Sequence, residues 1–190
     1  MTKILIGLLL VFFKLNINFL DISLIYSFTN LIGYTLIFFG VKEVGRRYEA
    51  VGKALPLVSF MIFHSLAFLI LNVTGNSPLL LPLNSYLAVI SYVGLAFVIA
   101  GMFMVYVIIS RLIEDLEEEM GVTSHTKRLK KLCVIMMIAF VLLGMFYFLF
   151  STLPGISQML MGVLIMLQII FLIEFYNTFL KSSNSTVAER

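Results

Sequence analysis

The chain has 190 residues, of which 61% are hydrophobic and only 12% are charged, and its net charge is +3. Soluble domains contain roughly 45–50% apolar and about 25% charged residues. A water-soluble fold of this length could not bury so much apolar surface, and so small a net charge gives no reason to expect a nucleic-acid partner. The composition therefore predicts an integral membrane protein whose main partner is the lipid bilayer.

Six apolar stretches are candidates for membrane-spanning helices, which need about 20 residues each. They lie at about 3–20, 23–41, 55–73, 85–112, 132–152 and 156–180. We expect one all-α domain over 1–181, a polytopic transmembrane helical bundle, followed by a short polar tail at 182–190. The first stretch is interrupted by Lys14 and two asparagines, so a five-span bundle in which it lies along the membrane surface is the alternative.

The lysines and arginines indicate which ends of these stretches face the cytoplasm. Loop 42–54 carries four of the thirteen and loop 111–131 carries five, whereas loops 74–84 and 153–155 carry none. Because Lys and Arg are enriched in cytoplasmic loops, six spans place both termini and the two basic loops in the cytoplasm. Only Lys14 then lies on the other side. We expect a multi-pass protein of the cell membrane.

The fourth stretch continues beyond the membrane as an amphipathic helix with acidic residues at 114–119 on one face, and a basic run follows at 127–131. Two arrangements are open. The acidic and basic arms pair as a charged cytoplasmic helical hairpin over 109–131, or they remain two separate solvated faces. Loop 42–54 and this segment are the predicted surfaces for a partner protein or anionic lipid. The contact residues that we expect are Arg46, Arg47, Glu117, Glu118, Arg128 and Lys130.

Polar side chains inside the apolar stretches are the other candidates for a functional site, because they are costly at that depth. They are Ser23, Ser27, Asn30 and Tyr34 on one stripe of the second stretch, His64 in the third, and Gln168 and Glu174 in the sixth. Either they form hydrogen bonds between helices or they line a polar pathway. For Glu174 the alternatives are an ion- or partner-binding carboxylate and local pairing with Lys181.

Small residues on one face of the fourth stretch, Ser91, Gly94 and Gly101, predict close packing against another helix. The single cysteine, Cys133, excludes an internal disulfide, and the motifs of metalloproteases, serine hydrolases and phosphate-binding loops are missing. We therefore expect no metal, no cofactor and no enzymatic activity.

The amino-terminal region resembles that of a group of small multi-pass membrane proteins of Gram-positive bacteria. The residues that carry the resemblance are Gly7-Leu8-Leu9-Leu10-Val11-Phe12-Phe13, Asn16-Ile17-Asn18, Asp21 and Leu31-Ile32-Gly33-Tyr34-Thr35-Leu36-Ile37. The group often shows a Pro-Asp-Phe-Ile-Gly-Tyr signature; here Thr29, Asn30 and Leu31 replace Pro, Asp and Phe, and Ile32-Gly33-Tyr34 is kept. The resemblance covers about 45 residues and implies a multi-pass architecture without an activity.

Two functions remain open. The first is a non-enzymatic membrane protein with a regulatory or assembly role, which acts by contacting a protein partner through the charged segment 109–131 or loop 42–54. The second is a small transporter or channel-like subunit. It requires the stripe of the second stretch and His64 to line one cavity of a few hundred Å³ or more, with Glu174 on the cytoplasmic side.

Overall fold

The structure, a computed structural model, describes residues 1–13, 24–75, 88–120, 124–150 and 154–181. All regular structure in these ranges is helical, which confirms the predicted all-α class. The helices are α1 (Thr2–Phe12), α2 (Leu24–Gly45), α3 (Glu49–Gly52), α4 (Leu55–Val73), α5 (Ala88–Met120), α6 (Ser124–Leu149) and α7 (Pro154–Tyr176), which continues into a π-helical turn at Asn177–Lys181. Pro56 and Pro154 lie in the first turns of α4 and α7, where a missing N–H breaks no helical hydrogen bond.

Five helical segments of the described ranges are long and apolar enough to cross a bilayer. They are Leu24–Gly45, Glu49–Val73, Tyr92–Glu119, Ser124–Leu149 and Gly155–Leu180. At most 33% of the apolar window in any of them is buried inside the bundle, and large side chains such as Phe63 and Met159 are 71% and 76% exposed. So much exposed apolar surface is stable in hydrocarbon but not in water. The chain is therefore a multi-pass membrane protein.

The first predicted span, 3–20, begins as the helix α1 but does not cross the bilayer within the described residues. Phe13 follows α1 in an extended conformation, with φ −69° and ψ 111°. Eleven residues rise about 16 Å, roughly half of the hydrocarbon thickness. Residues 14–20 of the predicted span lie outside the described part of the chain. The described bundle thus consists of five spanning helices and a half-length helix packed against them.

Helix α1 packs along α2 with backbone against backbone, because glycines form the contact. A Cβ atom placed on Gly7 would lie 2.6 Å from the carbonyl oxygen of Gly33, and one placed on Gly40 would lie 2.9 Å from the amide nitrogen of Ile4. Such close approach increases van der Waals contact, the main attraction between helices in lipid. The pairing of residue 4 with 40 and of 7 with 33 shows that the two helices are antiparallel.

The two ends of the bundle differ in charge, and several elements meet at the basic end. Lys3 at the start of α1 pairs with Glu43 near the end of α2 at 2.7 Å. The N–H of Ala50 in α3 donates to Glu119 Oε1 on α5 at 3.3 Å. The start of α1, loop 42–54 and the end of α5 therefore lie together, as the distribution of basic residues predicts.

The charged segment 109–131 is part of the packed fold at this end. Helix α6 begins at Ser124, eight residues before the predicted span, so that the basic run is helical. Lys130 on α6 and Glu117 on α5 form an ion pair between the two arms. Apolar residues of the α5 extension are almost completely buried in the same core as Val51 and Leu129: Ile109, Leu112, Ile113 and Leu116. Within the described residues, the apolar side of the hairpin thus faces the core and its charged side faces the surroundings.

One acidic residue of this segment does not lie where the sequence suggests. Asp115 was expected on the solvated acidic face, but its side chain is only 3% exposed. Its Oδ1 pairs with Arg111 at 3.2 Å, and its Oδ2 is buried without a hydrogen-bond partner among the described residues. The helix extension packs against α3 as well as α6, so more of its surface is covered than the helical pattern alone indicates.

Candidate functional site in the membrane

Polar side chains of α2 and α4 meet at a small, partly open cavity that α5 also lines. Tyr26, Ser27 and Asn30 line it from α2, and His64 and Ser65 line it from α4. Its volume is about 30 Å³, and one water molecule requires about 10–15 Å³ by this measure. The cavity therefore has room for about two water molecules. It is far smaller than the few hundred Å³ that a transporter site for an organic solute requires.

His64 connects α4 to α5. Its Nε2 lies 3.1 Å from the carbonyl oxygen of Phe97. Because a carbonyl oxygen only accepts, Nε2 carries the hydrogen of this bond, and Nδ1 of the neutral ring is an acceptor. The imidazole can lie here because residue 101 is a glycine: a Cβ atom on Gly101 would be 2.2 Å from His64 Cε1. Gly101, predicted to pack helix against helix, makes room for this ring.

Ser27 and Asn30, two of the polar side chains of α2 at this cavity, differ in their hydrogen bonding. Ser27 Oγ accepts a hydrogen bond of 2.8 Å from Asn72 Nδ2 on α4, which ties the two helices together. Asn30 forms a side-chain hydrogen bond with Tyr26, one turn away on the same helix. Its Oδ1, however, is buried and accepts no hydrogen bond within the described ranges. Asn30 therefore leaves an unused acceptor at a cavity that it lines.

Tyr34 and Gln168 line a second cavity, of about 20 Å³, between α1, α2, α5, α6 and α7. Gln168 Nε2 donates to the Tyr106 hydroxyl at 3.0 Å, which joins α7 to α5. The Tyr106 ring also contacts those of Phe12 and Phe140, with centroid distances of 6.2 and 5.7 Å. This cluster is a packed core around one interhelical hydrogen bond.

Glu174 lies away from both cavities, at the basic end of the bundle. Its Oε1 is 3.1 Å from His125 Nδ1 and 3.5 Å from Arg128 Nη1, both on α6. The carboxylate is 14% exposed, whereas the two basic side chains are 56% and 68% exposed. Its partners thus come from another helix, and the side chain of Lys181, the local partner considered from the sequence, is outside the described part. The cluster ties α7 to the start of α6.

The structure brings Ser27, Asn30 and His64 together at the first cavity and Tyr34 and Gln168 at the second, and it places Glu174 apart from both. Ser23 and the side chain of Ser91 lie outside the described residues, and Gly94 is half-buried in α5. Sequence reasoning missed Tyr26 and Ser65. A signal was present, since Tyr26 precedes Asn30 by one helical turn and therefore shares its face.

The predicted contact residues fall into two groups. Glu117, Lys130 and Arg128 are engaged in ion pairs between helices of the bundle. Arg46, Arg47 and Glu118 are exposed and take part in no ion pair among residues that the structure describes. Only this second group is available to another molecule without first breaking an ion pair.

No three His, Cys, Asp or Glu side chains of the described ranges are placed to hold a metal ion. Comparison with known proteins gives no match: no family model, no curated protein and no solved structure is significantly similar to the chain.

Proposed function

We propose that this multi-pass protein lies in the cell membrane with both termini, loop 42–54 and the α5–α6 turn in the cytoplasm. We propose further that it acts without enzymatic activity, in a regulatory or assembly role, by contacting a protein partner at that end. One observation carries the proposal: six exposed cations at the basic end form no ion pair in the described chain. They are Lys42, Arg46, Arg47, Lys53, Lys127 and Lys131.

Two further observations support a partner protein over a small-molecule substrate. The two cavities lined by the intramembrane polar residues, of about 30 and 20 Å³, are too small for an organic substrate, since ligand pockets measure about 300–1,000 Å³. The apolar face of the α5 extension is covered by the chain itself, so a partner meets charged side chains only. Complementary charges set the specificity and the rate of such contacts. An acidic surface on the partner is the chemistry that fits the unpaired cations.

Photo-crosslinking in living cells tests the proposal. A photoreactive amino acid replaces Arg46 or Lys127, and a control replaces Phe63, which is 71% exposed to lipid. We expect a discrete protein adduct of the same mass from positions 46 and 127 and none from position 63. The double substitution Arg47→Glu and Lys131→Glu should remove the adduct while membrane insertion is retained. Adducts to lipid alone at positions 46 and 127, or an equal adduct from position 63, would contradict the proposal.

A transporter or channel-like subunit is the second candidate, because Ser27, Asn30 and His64 converge on one cavity. The volume of this cavity limits the cargo to a proton, a small ion or water. Proteoliposomes with an internal pH-sensitive dye test proton movement. Flux above that of empty liposomes that disappears in His64→Phe would favour this candidate; flux equal to that of empty liposomes would exclude proton transport.

A further inference from the structure

We propose that the cavity between α2, α4 and α5 is a hydration site within the membrane, occupied by one or two ordered water molecules that donate a hydrogen bond to Asn30 Oδ1. The site is independent of the proposed partner contact. The ligand at this site is water, and the residues that line the site belong to three helices, α2, α4 and α5.

The first argument is the unused acceptor. A buried amide oxygen in a low-dielectric interior is strongly disfavoured unless it accepts a hydrogen bond. Two nearby donors are already engaged, because the Asn72 amide donates to Ser27 and the Nε2–H of His64 donates to Phe97. No donor of the described residues bonds to Asn30 Oδ1, and a molecule inside the cavity that Asn30 lines would supply one.

The second argument is size and polarity together. Empty cavities in proteins are apolar, whereas a buried water requires two to four polar partners. Most of the cavity wall is apolar, and the residues that supply its polar groups are Tyr26, Ser27, Asn30, His64 and Ser65. Its volume of about 30 Å³ admits about two water molecules and excludes larger donors such as an amino acid or a sugar.

The neighbouring cavity provides a comparison. It also has polar side chains, but Gln168 and Tyr106 satisfy one another there by the hydrogen bond of 3.0 Å. Two buried side-chain atoms of the described residues have no hydrogen-bond partner, Asn30 Oδ1 and Asp115 Oδ2. Asp115 lies at the basic end of the bundle, whereas Asn30 lies within a membrane-spanning helix. The hydration site is therefore specific to the cavity between α2, α4 and α5.

X-ray radiolytic footprinting of the full-length protein in nanodiscs tests the proposal, because hydroxyl radicals formed from a bound water oxidise the side chains beside it. Met61 and Met136 are matched: both are buried, 2% and 0% exposed, but only Met61 lines the cavity. We expect Met61 to be oxidised several-fold faster than Met136. A bulk radical scavenger should leave the Met61 rate unchanged.

Substitution of the acceptor gives the second readout. Asn30→Leu removes the acceptor and fills space, so the Met61 rate should fall to the Met136 rate, whereas Asn30→Asp keeps an acceptor and should keep the Met61 rate high. Equal slow oxidation of Met61 and Met136 in the wild-type protein would overturn the proposal without any variant. So would a Met61 rate that the scavenger suppresses, or one that Asn30→Leu leaves unchanged in a folded protein.

Discussion

Replacing Gly33 with alanine adds a methyl group at the closest contact between α1 and α2. The added carbon would lie 2.8 Å from the carbonyl oxygen of Gly7 and 2.7 Å from Val11 Cγ2. Non-bonded heavy atoms are most stable at about 3.5–4.0 Å. The Val11 side chain can rotate, but the carbonyl oxygen belongs to the α1 backbone. The substitution therefore forces the two helices apart along their length.

Two opposing effects set the expected change in the free energy of unfolding. Gly→Ala in the middle of a helix gains up to about 1 kcal/mol in helix propensity. Overpacking a contact that cannot relax costs about 1–3 kcal/mol. Contacts between α1 and α2 that are lost when the helices move apart add to this cost. We expect Gly33→Ala to lower the free energy of unfolding by about 1–2 kcal/mol.

Gly162→Ala in α7 is the matched control, because no atom lies within 4 Å of the position that its Cβ would occupy. It gains the same helix propensity without a clash, so its stability should be unchanged or increased by up to about 1 kcal/mol. Titration with sodium dodecyl sulfate in mixed micelles, followed by circular dichroism, measures both variants. A Gly33→Ala protein at least as stable as Gly162→Ala would refute the described packing of α1 on α2.

Two further predictions concern the polar contacts inside the membrane. Gly101→Ala should displace the His64 ring and break its hydrogen bond to α5, which would destabilise the bundle by about 1–3 kcal/mol. The displacement should remove the slowly exchanging Nε2–H signal from the nitrogen-15 NMR spectrum. Retention of this signal would contradict the geometry. A double-mutant cycle with Gln168→Leu and Tyr106→Phe measures the hydrogen bond between these side chains through unfolding free energies. We expect a coupling energy of about 0.6 kcal/mol and at most about 1.7 kcal/mol. Zero coupling would mean that the two side chains form no hydrogen bond.

Length and apolar composition were enough to predict the five long helices, because a bilayer accepts only segments that satisfy their own backbone hydrogen bonds. The prediction was least accurate at the ends of the helices. Hydropathy placed the start of the fifth span at residue 132, but α6 begins at Ser124. The basic residues before the apolar run are good helix formers that face water, so the helix continues past the membrane boundary where the apolar pattern stops.

Interhelical partners could not be predicted, because they depend on which helices are neighbours. Gly33 and Gly40 are seven residues apart and therefore share one face of α2, but nothing in the sequence identifies Gly7 of α1 as the opposing residue. For Glu174 the only named partner was Lys181 on its own helix, as one of two alternatives, whereas the observed partners lie on α6. Gly33 is the central residue of Ile32-Gly33-Tyr34, and its contact with Gly7 leaves no room for a larger side chain at that position.

Cysteine labelling tests the central claim most directly, namely that the helices cross a membrane with the basic end in the cytoplasm. In a Cys133→Ser background, one cysteine replaces Lys131 at the basic end and another replaces Thr74 at the opposite end, where both side chains are exposed. We expect a membrane-impermeant maleimide to label Thr74→Cys on intact cells and to label Lys131→Cys only after permeabilisation. Labelling of Lys131→Cys on intact cells would contradict the proposed orientation, and equal labelling of both without permeabilisation would contradict a membrane-spanning bundle.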